Sequence, residues 1–278
     1  MATVGTNYQA MEPKIVGRIV ERGDVYTRLE SVYAFGKSDV CVYYTVYKNQ
    51  PYIDVDIKLI WNEGGKGLKL AIPFANKGTF IGQTAFGTQT YEENREQCSQ
   101  KFCGIDDGEN VLSVYANYIG GCSVENGILY VTLFNGSIYC AHPIDDLPIV
   151  DDKRCNEYLE KGRHSFCFRF VLDKRDCLEK NAVEFTQKMY VLNGYPHGKG
   201  KKNRKGIVEL SNKNITLSSL RMVDVGIWEI RLFNNNVKNV NCLCVAFDKE
   251  ISLTFNKYEV KTLFFDGKEL KEEKRMLI

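Results

Sequence analysis

The run HPIDDLPIVDD carries four acidic residues, Asp145, Asp146, Asp151 and Asp152, and opens on His142. Clustered carboxylate oxygens are the ligands a hard cation such as calcium takes. The spacing is not that of a calcium-binding helix-loop-helix, and Pro143 and Pro148 mark an exposed connection, so a solvated loop is expected. His164, in EKGRHSFCFRF, stands at the mouth of a strand pattern. An imidazole there could serve as general acid or base, or fix a loop by a hydrogen bond. His197 is the third histidine, and no His-x-x-x-His occurs, which argues against zinc. There is no Gly-x-Ser-x-Gly elbow and no glycine-rich phosphate loop. Paired carboxylates for glycoside cleavage cannot be picked by spacing, because they come from separate strands. Residue types alone therefore mark no catalytic set and no metal set.

The ten cysteines point the same way. No Cys-x-x-Cys occurs, and Cys98 and Cys103 lack a partner pair. Cys242 and Cys244 share one face of NCLCVAF, while Cys41 and Cys167 sit inside strand patterns. Cysteine is a small hydrophobe that is often buried, so reduced thiols in a cytoplasmic protein are expected rather than a disulfide framework.

The elements that must position these residues are nearly all strands. In PYIDVDIKLIWNEGGKGLKL, Ile53, Val55, Ile57 and Leu59 fall on one face and Tyr52, Asp54, Asp56 and Lys58 on the other. That period of two marks a half-buried strand. Gly64, Gly65 and Gly67 supply a turn, and Leu68, Leu70 and Ile72 restart the alternation, so the stretch reads as a hairpin with one apolar face. Similar runs recur from a first strand at Lys14 to Glu21 through KTLFF, rich in Val, Ile, Tyr, Phe and Thr. One segment, Asp176 to Tyr190, carries a helical stripe at Leu178, Ala182, Phe185 and Met189, with a connector plus strand as the alternative. The class is mainly β, with packed sheets. The loop GYPHGKGKKNRKG, residues 194–206, reads as a basic, glycine-rich linker between a large β region at 1–193 and a smaller one at 207–278.

A chain of 278 residues can bury a sizeable core. With 37 basic and 35 acidic residues, its net charge of +2 gives no field to draw in nucleic acid or an anionic membrane. The basic loop has no interleaved aromatics for base stacking, so no nucleic-acid partner is expected. No apolar run reaches the ~18 residues of a spanning helix, so no membrane partner is expected. The opening MATVGTNYQAMEP has no apolar core of a secretory signal.

The order of short motifs resembles the C-terminal β region of glycoside hydrolase family 38, the α-mannosidases. Val20-Glu21-Arg22-Gly23 is followed by the stretch Tyr47 to Pro73, which holds Leu59-Ile60-Trp61-Asn62-Glu63; Ile60 replaces the family's usual Asp before Trp. Ala85-Phe86-Gly87-Thr88-Gln89 with Asn94 matches a Phe-Gly segment, whereas Lys101-Phe102 stands where a Trp is common. Gly127 to Asn135 leads to the Pro- and Asp-rich loop with Asp151 and Asp152, and Gly162-Arg163-His164-Ser165-Phe166 matches its exit. Ile215 to Arg221 and Ile230-Arg231-Leu232-Phe233-Asn234 complete a match from Ile15 to Leu263.

The resemblance implies a large antiparallel supersandwich, like those of sugar mutarotases, followed by a smaller β-sandwich. It also implies a parent enzyme that hydrolyses α-mannosidic bonds. In that family the zinc ligands and the carboxylate nucleophile sit in an N-terminal α/β domain, for which nothing here is a match. No catalytic and no metal residue is therefore expected in this chain, and the early first strand suggests a piece cut from a larger protein. The implied partners are that catalytic domain and a mannose-containing carbohydrate. Arg231 and Asn234 are the implied contributors to the sugar-pocket rim, since both side chains suit hydroxyl recognition; alternation along the strand explains Arg231 equally well. A docking face for the missing domain would expose an apolar patch and allow a homo-oligomer. Two alternatives stand: a free carbohydrate-binding or scaffolding module, and a mutarotase-like enzyme using His164 with Glu160 or Glu63.

Overall fold

The alternating runs become strands. The computed structural model describes residues 8–75, 77–136, 158, 160–187, 190–195 and 206–273. The chain divides into two units, one of residues 1–83 and 89–173, the other of residues 84–88 and 174–278. Residues 142–152 and most of the 194–206 stretch, with His142 and His197, lie outside the described residues.

The first half carries β1 (Glu12–Arg22), β2 (Tyr26–Phe35), β3 (Ser38–Tyr47), β4 (Tyr52–Trp61), β5 (Leu68–Pro73), β6 (Thr79–Thr84), β7 (Gly87–Thr90), β8 (Phe102–Asp106), β9 (Val111–Ala116), β10 (Gly121–Glu125), β11 (Ile128–Phe134) and β12 (Gly162–Asp173). Nine of these form one sheet in the order β1-β2-β3-β4-β12-β9-β8-β6-β7, and three form a second in the order β10-β11-β5. The hairpin expected at the β4–β5 glycines does not form a pair. β4 bonds to β3 and β12, and β5 joins β11 in the other sheet. The glycine turn thus carries the chain from one sheet to the other.

The two sheets share one core. Val55, Ile57, Leu59 and Trp61 of β4, at most 3% exposed, meet Cys122, Val124, Leu129 and Val131 of the smaller sheet. Burying side chains of this kind stabilises by ~1.5–3 kcal/mol each. Ile53, at the strand's start, is 39% exposed. Gly82 of β6 is a packing requirement, because a Cβ there would run into the ring of Tyr91, itself set edge-on to Phe80 at 5.2 Å.

The opposite face of the large sheet carries paired charges. Asp54 stands across from Thr45 on β3 and Arg169 on β12. The Arg169 guanidinium grips its carboxylate with two bonds, 2.6 and 2.9 Å, and lies 3.6 Å from the centre of the Tyr52 ring. The Tyr47 hydroxyl donates to the same carboxylate at 2.9 Å. Burial, and then that hydrogen bond, push the Tyr47 phenol up to about 12. Arg28 repeats the pattern, 2.6 Å from Asp56 and 4.8 Å from the Tyr43 ring centre.

β1 differs from its neighbours. All but one of its residues are exposed, and its ladder to β2 slips register in three places. Pro13, Lys14, Arg18 and Arg22 lie along it.

The second unit carries α1 (Leu178–Thr186), β13 (Val208–Leu210), β14 (Ile215–Asp224), β15 (Ile227–Asn234), β16 (Val240–Ala246), β17 (Lys249–Phe255), β18 (Val260–Phe265) and β19 (Leu270–Glu272). Sheets β13-β16-β17 and β14-β15-β18-β19 enclose a core of Ile230, Leu232, Cys242, Cys244, Phe255 and Leu263. Cys242 and Cys244 therefore share a buried face, as the sequence implies. The described cysteines are free: Cys103 and Cys122 are also buried, whereas Cys41 and Cys167 fall on the outer side of their strands and are partly or largely exposed. The helical stripe is real but shorter than its periodicity suggests. Leu178 and Ala182 are buried, and Gln187 turns extended at ψ 116°, so Phe185 lies in the last turn; Met189 lies outside the described residues. The expected large antiparallel sandwich and smaller one are the architecture of this mainly β chain.

Two outcomes follow from this packing. Gly82→Ala should lower stability in urea unfolding by ~1–3 kcal/mol, because the added Cβ runs into the Tyr91 ring, which is packed on Phe80 and held through its hydroxyl by the Cys98 carbonyl. Arg169→Ala and Asp54→Ala should each cost ~2 kcal/mol, and the double variant should cost less than their sum by ~1 kcal/mol or more.

Candidate functional site

The most chemically varied place in the first unit is the end of the large sheet where β4 stops and β12 starts. Trp61 is 2% exposed, lies 6.0 Å from Phe35 and 5.2 Å from Phe134 between ring centres, and its indole N–H has no partner among the described residues. Asn62 and Glu63 then turn back toward the β2–β3 connection. The Glu63 carboxylate accepts the Lys37 N–H at 2.7 Å and the Ser38 hydroxyl at 3.2 Å. The Asn62 N–H donates to the Ser38 oxygen at 2.8 Å, and the Asn62 amide donates to the Lys37 carbonyl at 2.7 Å. Gly36 makes this possible: at φ +56° it closes the turn, and a Cβ there would lie 2.6 Å from a Glu63 oxygen. Trp-Asn-Glu is thus a staple between the exit of β4 and the neighbouring turn.

His164 stands on the core side of β12, across from Leu59. Its ring stacks 5.0 Å from Phe134 and 6.1 Å from Phe166. Its Nε2 lies 2.8 Å from the Glu160 backbone carbonyl. A carbonyl only accepts, so Nε2 carries the proton in this bond. The structure brings His164 to the backbone of Glu160 rather than to its carboxylate, while Glu63 is bound to Lys37 and Ser38. Both groups are spent on holding this end of the sheet.

In the second unit Arg231 lies between Ile230 and Leu232, both 0% exposed, on the face away from that unit's core. Its Nη2 donates to Glu229 at 3.2 Å, and Arg221 grips the same buried carboxylate with bonds of 2.8 and 3.1 Å. The Arg231 side chain keeps 30% of its surface in solvent. Asn234 has no exposed surface. Its amide nitrogen donates to the carbonyls of Lys238 at 3.0 Å and Asn256 at 2.7 Å, and its oxygen accepts the Asn236 N–H at 3.0 Å. A sugar hydroxyl could reach Asn234 only after these bonds open.

Among the described residues no group of three or more His, Cys, Asp or Glu could hold a metal ion, and no helix is long and apolar enough to cross a membrane. The described side chains do not make up a zinc ligand set. What this arrangement does is position: carboxylates are held by arginines and backbone N–H groups, and imidazole and indole rings are packed between phenylalanines.

The family model for the glycosyl hydrolases family 38 C-terminal domain matches residues 6–152. The chain is similar in structure to a protein in the glycosyl hydrolase family 38 from Enterococcus faecalis, with a TM-score of 0.74 and 12% identity over 91% of this chain and 36% of that one. It is also similar to an alpha-mannosidase from Enterococcus faecalis V583, again with a TM-score of 0.74 and 12% identity, over 91% of this chain and 35% of that one. At that identity the likeness is one of fold, and the chain spans about a third of the length of these structures. No curated protein matches the sequence. With a family model matching more than half its length, the chain belongs to glycosyl hydrolase family 38, whose C-terminal domain it carries.

Proposed function

We propose that this chain is the supporting β region of an α-mannosidase-like glycoside hydrolase, and that an α/β domain outside it supplies the zinc and the carboxylate nucleophile for hydrolysis of α-mannosidic bonds. The observation that carries this reading is the match to a C-terminal domain in a chain about a third as long as the family proteins it resembles. The chemistry of the described side chains agrees with it. Glu63 and His164 are committed to the backbone, and Asp54, Asp56 and Glu229 are committed to arginines. A stiff sandwich whose carboxylates and imidazole are held in hydrogen bonds is a good wall for a pocket and a poor source of acid or base, since general acid–base work needs a group free to exchange its proton with substrate.

On this reading Arg231 is the rim contributor, offering the solvent-facing part of its guanidinium to sugar hydroxyls, while Asn234 acts through the turn it holds. Retaining cleavage needs a nucleophile and an acid/base in one pocket, and both come from the absent domain.

The test uses the purified chain and p-nitrophenyl α-mannopyranoside. The chain alone should show no turnover and no stoichiometric zinc by elemental analysis. Turnover should appear when an α/β domain from the same or a neighbouring gene is added. Hydrolysis by the chain alone that survives rigorous purification, or one bound zinc per chain, would overturn the reading; a chain that binds mannosides but recruits no such domain would be a free carbohydrate-binding module.

A further inference from the structure

The outer face of the smaller sheet in the first unit holds a feature that the supporting role does not use. Tyr130 of β11 stands across from Ala71 on β5 and Ser123 on β10, side chains too short to shade a phenol ring. The ring that covers it is that of Tyr8, parallel to within 5° and 4.7 Å away between centres. The Tyr8 hydroxyl lies 3.1 Å from Glu125, and Tyr8 remains 45% exposed. One residue pair further along the same face, Lys69 lies 3.4 Å from Glu96, whose other oxygen accepts the Thr132 hydroxyl.

We propose that Tyr130, with Glu125 at one side and the Lys69–Glu96 pair at the other, is a binding platform for a terminal pyranose, and that Tyr8 is a strap that fills it. This rests on the glycoside hydrolase reading above only for its choice of ligand class. A pyranose has an apolar C–H face that lies on an aromatic ring and a rim of hydroxyls that donate to carboxylates. Tyr8 imitates both halves: its flat ring takes the place of the C–H face, and its hydroxyl donates where a sugar hydroxyl would. Two carboxylates against one ammonium leave the surface net negative, which disfavours nucleotides and other anionic ligands. The strap lowers the apparent affinity of the platform by the fraction of time it is closed.

Titration calorimetry with methyl α-mannopyranoside and methyl β-glucopyranoside tests this on the full chain. Tyr8→Gly should bind at least one of the two at least ~tenfold more tightly than the parent chain. Adding Tyr130→Ala to that variant should weaken binding by ~tenfold or more, and Glu125→Gln, which keeps the shape of the side chain, should weaken it several-fold with an unchanged melting curve. No saturable binding by Tyr8→Gly, or binding indifferent to Tyr130 and Glu125, overturns the proposal. Hydrolysis does not enter the readout: a chain that binds the glucoside alone keeps the platform while removing support from a mannoside-processing parent.

Discussion

One register, held across β3, β4 and β12, determines what the large unit is made of. Val42, Ile57 and Phe166 share one row, and Thr45, Asp54 and Arg169 share another. Because side chains alternate, a slip of a single residue would carry Asp54 and Asp56 into the sandwich and Val55 and Ile57 into water. Charge burial without a partner would then add to the loss of apolar burial. The ion pairs on the outer face strengthen this choice, since Arg169 meets the Asp54 carboxylate with both of its bonds only when the strands are paired as they are. Core and surface thus specify the same alignment, one by exclusion of water and the other by geometry.

The polar groups at the sheet's end follow the same logic. Once Trp61 is placed under Phe35 and Phe134, Asn62 and Glu63 leave the core together and meet a turn whose N–H and carbonyl groups need partners. Satisfying them engages one oxygen of Glu63 and the hydroxyl of Ser38. In the second unit Asn234 does the same for the turn after β15. Side chains that suit sugar hydroxyls also suit backbone amides, and here the backbone is the nearer ligand.

That competition explains what the sequence discloses and what it hides. Alternation is local, so β4, the class of the fold and the shared face of Cys242 and Cys244 could be read directly, and β1 extends the Lys14 to Glu21 expectation by two residues at its start and one at its end. The partner of a strand is not local, and so the glycines after Glu63 read as a hairpin while β5 joins a different sheet. The helix stops in the turn that holds Phe185, because the backbone turns extended at Gln187, which periodicity does not register. Asn234 looked like a surface group because its burial is set by carbonyls that arrive from residues 238 and 256. Tyr8 belongs to the opening MATVGTNYQAMEP, read only for its lack of a signal core, and no spacing rule links it to a tyrosine 122 residues later.

The outermost strand of the nine carries a consequence for how the molecule behaves in a crowd. A sheet whose last strand runs flat and unbroken offers its free N–H and C=O groups to any extended chain that drifts by. β1 weakens that offer: Pro13 withholds a donor, and successive slips against β2 bend the ribbon. Adding a regular strand at this border is therefore unfavourable, which closes one route by which a wide, aromatic-rich sandwich could nucleate its own aggregation.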